Sequence, residues 1–171
     1  LFANLGGSYN TAIGKFALKA NTSADANTAL GYNALFANTT GSSNTALGVN
    51  CMDANTTGAS NTAVGVDTLN QNTTGIQNVS VGESSLSTNT TGSYNTALGR
   101  TSLLSNTTGT HLSAVGRSAL QNNTTGSNNT GIGFDAGYTT TTGNYNVSIG
   151  FNSKATSATA SGQFTLGDSN I

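Results

Sequence analysis

The chain has 171 residues and a formal charge of −1; Asn, Thr, Ser and Gly supply 96 of the residues, and Asp, Glu, Lys and Arg only 11. A charged fraction of 6%, against about 25% in ordinary domains, excludes capture of nucleic acid or of an anionic membrane by charge. One Cys and one His allow neither an internal disulfide nor a metal-ligating Cys/His spacing, and no apolar run approaches the roughly 20 residues that span a bilayer.

Such a composition folds only if it has a period, and the period is 17 residues. The clearest unit is Asn27 to Ser43, NTALGYNALFANTTGSS, and repeat positions are counted from its first Asn. Strand one reads N-T-A-L, Asn27 to Leu30. Period-two alternation puts Thr28 and Leu30 on one side, expected to be the core. The chain then turns at a glycine found at Gly14, Gly31, Gly48, Gly65, Gly82, Gly99, Gly116, Gly133, Gly150 and Gly167 without insertion or deletion. A second strand is expected over Ala34 to Ala37, and N-T-T-G, Asn38 to Gly41, turns the chain again. A drift-free period made of two short strands and two turns predicts an all-β fold, a parallel β-solenoid of ten 17-residue coils in one domain over 1–171. The pattern weakens after Thr142, and 155–171 reads as a degenerate last coil in transition to another domain. Leu1 stands in mid-pattern, which is expected of a fragment or a processed chain.

Stacked coils turn each repeat position into a column. The expected core is the aliphatic residue before each corner glycine, Ile13, Leu30, Leu47, Val64, Val81, Leu98, Val115, Ile132 and Ile149. A second apolar column, including Leu35, Leu69, Leu86, Leu103 and Leu120, joins it. Asn38, Asn55, Asn72, Asn89, Asn106 and Asn123 form an expected amide ladder along the axis. The residue between Thr and the aliphatic is always small, as at Ala29, Ala46, Ala63, Ala97 and Ala114. Two readings of that column stay open: a face packed closely on another copy, or a coil too narrow for anything larger.

No residues converge on a known chemistry. Asp25, Asp53, Asp67, Glu83, Asp135 and Asp168 fall mostly on different coils, so no acid–base pair is expected. His111 reads as a solvated turn residue and Cys51 as a small buried one. An enzyme is not expected, nor a cofactor. The N-T-T and N-V-S triplets match the glycan acceptor pattern, but one column of them reads better as a ladder. Paired threonines such as Thr39 and Thr40 are adjacent, so they point to opposite sides, which counts against an ice-binding face. Aromatics gather in three columns: Tyr9, Tyr94 and Tyr145; Tyr32, Phe134 and Phe151; Phe2, Phe36 and Tyr138.

The N-T-A-L-G units resemble the head repeats of YadA-type trimeric autotransporter adhesins, best at NVSIGFNSKATSATASGQFTLG, where Asn146, Ile149, Gly150 and Ser153 fall on the family's pattern. The N-T-T-G units are similar to shaft repeats of phage and viral tail fibres, whose shafts end in segments like Ser161 to Ile171. The period of 17 is longer than that of the adhesin heads. The resemblance implies an extracellular homotrimeric shaft or head that gives reach and attachment to a surface glycan or protein. The alternative is a subunit of a self-assembling filament. Neither implies nucleic acid or membrane insertion.

Overall fold

The structure is a computed structural model and describes residues 3–167. Leu1, Phe2 and residues 168–171, with Asp168 and the end of the expected last coil, lie outside the described residues. The strands are β1 (Thr11–Ile13), β2 (Thr28–Leu30), β3 (Thr45–Leu47), β4 (Thr62–Val64), β5 (Val79–Val81), β6 (Thr96–Leu98), β7 (Ser113–Val115), β8 (Thr130–Ile132), β9 (Val147–Ile149) and β10 (Phe164–Leu166). They form one parallel sheet in chain order, each strand lying in register on the residues 17 positions later. The fold is a parallel β-solenoid.

Each coil has one strand, where two were expected. The segment after the corner glycine is a run of tight turns, closed by bonds such as Phe36 N–H to Asn33 O, 3.3 Å, and Asn38 N–H to Leu35 O, 3.3 Å. Its backbone visits the left-handed region twice, at Asn33 (φ 55°) and Leu35 (φ 53°), and does so again in the following coils. Alternation of that kind cannot continue a strand. Asn and Asp in the first of these columns tolerate the conformation; Leu gives no sign of it in the sequence. The segment still stacks on its neighbour, as in Leu35 N–H to Cys51 O, 3.0 Å.

The interior reverses the expected faces of the strand. Thr28 and Leu30 do lie on one side, but that side is outside: Ile13, Leu30, Val81, Leu98, Val115 and Ile132 are exposed, and Leu47, Val64 and Ile149 half-buried. The buried strand residues are Ala29, Ala46, Ala63, Ala97 and Ala114, so this column is no interchain face. Width decides the matter. The opposite wall sends in Leu18, Leu35, Met52, Leu69, Leu86, Leu103 and Leu120, all fully buried, and little space remains across from them. At Gly131, in the alanine column, a Cβ would lie 2.8 Å from Leu120 Cγ and 2.9 Å from the Ala136 carbonyl oxygen. Ser80 fits in the same column because its hydroxyl donates to Ser85 Oγ at 2.8 Å.

Two buried amides per coil complete the interior. Along the Asn38 column each Nδ2 donates to the Oδ1 one coil back, at 2.8 Å for Asn55, Asn72, Asn89 and Asn106. A second column, Asn27, Asn44, Asn61 and Asn78, accepts the next coil's backbone N–H on Oδ1, at 2.9 Å from Asn44 to Asn27. Both columns also donate to one glycine carbonyl: Gly41 takes Asn38 Nδ2 at 2.9 Å and Asn27 Nδ2 at 3.0 Å. Such buried amides cost little because every one is partnered. Leu112 interrupts the second column, and Asn129 Nδ2 donates both to the Gly143 carbonyl at 2.7 Å and to Asn123 Oδ1 at 3.2 Å.

The corner glycines are required twice over. Gly116 has φ 125°, and a Cβ on it would sit 2.6 Å from the Gly133 carbonyl oxygen of the next coil.

Leu69→Ala should lower stability by about 2–5 kcal/mol, measured by chemical denaturation. Gln77→Gly should raise it by up to about 1 kcal/mol, because Gln77 holds φ 54° and glycine relieves the left-handed strain.

Candidate interaction face

Turning the aliphatic column outward creates the main surface feature of the coil. On the strand face two columns stand side by side. One is Thr11, Thr28, Thr45, Thr62, Val79, Thr96, Ser113, Thr130, Val147 and Phe164; the other is the aliphatic column from Ile13 to Leu166. Leu30 is 43% exposed, Leu98 37% and Ile132 42%. Nine steps between ten strands make the stripe about 43 Å long. It carries no charge along its whole length. Continuous exposed apolar surface on this scale marks an interaction site.

The column just past the corner glycine forms a mixed rim. It runs Lys15, Tyr32, Val49, Val66, Glu83, Arg100, Arg117, Phe134 and Phe151. Arg100 Nε donates to Glu83 Oε2 at 3.2 Å, the one salt bridge among the described residues. Phe134 and Phe151 stack at 5.5 Å, with the Arg117 guanidinium 5.0 Å from the Phe134 ring centre. At another corner His111 stacks on Tyr94 at 4.9 Å, and its Nδ1 lies 3.1 Å from Thr110 Oγ1.

The threonines divide by position. Thr39, Thr56, Thr73 and Thr90 each give their hydroxyl to the carbonyl of the threonine one coil on, at 3.0–3.1 Å, whereas Thr40, Thr57, Thr74 and Thr91 are exposed. The asparagines that head the N-T-T and N-V-S triplets, among them Asn38, Asn55, Asn72, Asn78 and Asn146, are buried, so the folded coil hides these from a transferase.

Two carboxyls interact that the sequence spacing had kept apart. Burial, with the charge of Asp67 second, pushes the Asp53 carboxyl above its ordinary value, while Asn50 Nδ2 donates to Asp67 Oδ1 at 3.0 Å. The two lie 14 residues apart, three short of a period, and the turn wall brings neighbouring columns together. Among the described residues no three His, Cys, Asp or Glu side chains gather as a metal site would require. Cys51 is fully buried, its thiol donating to the Ala63 carbonyl at 3.3 Å.

No protein-family profile, curated protein or solved structure matches the chain.

Burial pushes the Cys51 thiol from 9.0 up to about 12, against a smaller opposing effect of a Leu47 backbone hydrogen bond. A thiol reagent at about pH 8 should therefore leave the folded chain unmodified and react fully in denaturant. The folded chain keeps a proton that the unfolded chain releases above 9.0. Any stability that depends on this group is constant below pH 9.0 and falls as pH rises toward 12.

Proposed function

We propose that this chain is a structural fibre segment, the shaft or head of an extracellular adhesin or viral tail fibre, built from three copies and giving reach and surface attachment. The single observation that carries the reading is the unbroken aliphatic ladder on the outside of the strand face. A lone coil would leave that ladder in water along its full length. Its natural cover is another ladder of the same pitch, because only a partner rising by the same step per coil stays in register over about 43 Å. A stripe confined to one wall is buried completely when three copies turn it toward a common axis. The number three and the extracellular setting come from the resemblance to adhesin heads and fibre shafts. The turn walls, bearing the aromatic columns, then stay outward for contact with a surface.

The solution mass tests this directly. The chain should run near three times 17.0 kDa by light scattering, independent of concentration. Val64→Glu with Leu98→Glu should shift it to monomer with an unchanged circular dichroism spectrum. A trimer that survives both charges would place the interface elsewhere. Growth without limit would favour the filament, and a wild-type monomer would overturn the proposal.

A further inference from the structure

At the first two coils the turn wall departs from the rest of the molecule. Phe16 sits with its ring centre 6.0 Å from Tyr32 and 6.2 Å from Phe36. The Lys15 ammonium lies 5.0 Å from the Phe16 ring centre, and the Lys19 ammonium 5.0 Å from Phe16 and 4.9 Å from Phe36. Phe16 is 37% and Tyr32 45% exposed, and both lysines are exposed. Three rings and two of the five cations of the chain therefore share one patch. Neither ammonium has a carboxylate partner, the one ion pair among the described residues being Glu83–Arg100. Asp53, one coil beyond Phe36 in its column, bounds the patch on the far side.

A second observation comes from the backbone. Phe16 holds φ 68°. The same column in later coils carries Asn33, Asn50, Asp67, Ser84, Thr101, Ser118, Asp135 and Asn152, mostly short polar residues that accept the left-handed region more readily. The fold therefore does not ask for an aromatic here, and a bulky ring is kept at a backbone cost. Strain held at one coil, where the other described coils use polar residues, points to function.

We propose that Lys15, Phe16, Lys19, Tyr32 and Phe36 form a binding site for an acidic saccharide, the CH face of a pyranose resting on the rings and its carboxylate taken by the two ammonium groups. The chemistry fits on three counts. Aromatic faces flanked by polar groups suit amphipathic rings. Two unpaired cations select one or two negative charges. Neighbouring coils stand about 4.8 Å apart, the scale of a single sugar ring. A nucleic acid strand would need a longer basic track than two lysines provide. The site names the ligand class for the attachment role proposed above and rests on that reading for its setting. Lys15 and Tyr32 stand in the rim column beside the strand-face stripe, and Phe16, Lys19 and Phe36 follow on the turn wall.

The test is titration of the full chain with 3′-sialyllactose, followed by NMR shifts of the Tyr32 and Phe16 rings, with lactose as the neutral control. Saturable binding of sialyllactose alone is expected. Lys15→Gln with Lys19→Gln should weaken it about tenfold or more. Phe16→Asn should weaken it similarly while folding at least as well, because Asn33 occupies the same position one coil on. No saturable binding, equal binding of lactose, unchanged affinity in Phe16→Asn, or tighter binding of a single-stranded oligonucleotide would each overturn the site. The mass of Phe16→Asn should match wild type, so failure of the site and failure of the trimer are read separately.

Discussion

Successive coils stand one β-spacing apart, about 4.8 Å, around an interior that takes one leucine, two small side chains and two amides per coil. That confined cross-section governs the rest of the molecule. It excludes large side chains from the strand, so Ala29 goes in and Leu30 goes out. It forces glycine at the corner, where a Cβ on Gly116 would meet the carbonyl of the coil above. It also dries the asparagine amides, and a dry amide must be fully partnered. The repeat supplies the partner by placing an identical amide one coil away, as Asn72 does for Asn89.

A core this slender pushes apolar surface outward. In an ordinary domain the strand's larger apolar residues would face inward, and the outside would carry charge. Here the inward position is filled by alanine, and the aliphatic ladder from Ile13 to Leu166 remains on the surface together with its threonine neighbours. The protein is thus complete as a coil but not as a surface. Backbone ladders and amide ladders hold each coil to the next, while the exposed stripe is suited to hold one chain to another.

The turn wall follows a different rule. It alternates right- and left-handed residues, and in every described coil after the first its first left-handed position carries Asn, Asp, Ser or Thr. The exception stands out: Phe16 among lysines. Because the scaffold repeats, each coil is a control for its neighbours, and a costly residue in one coil can be judged against the cheaper ones that fill its position elsewhere.

The sequence by itself determined the period, the number of coils, the stacking in register, the corner glycines and the asparagine columns. Each of these is a local demand, repeated, and a glycine or asparagine at fixed spacing reports it directly. It also determined that Thr28 and Leu30 share a side, because alternation is a property of the strand alone. Which side faces inward was a tertiary decision, made by the leucines of the opposite wall and the little room they leave. Only the tertiary structure turned Ala34 to Ala37 into turns, since a leucine such as Leu35 at φ 53° gives no local sign of that conformation. The meeting of Asp53 with Asp67, and of Lys19 with Phe16, was likewise decided in three dimensions. These residues lie in different columns, and how columns fold toward one another depends on the path of the whole coil.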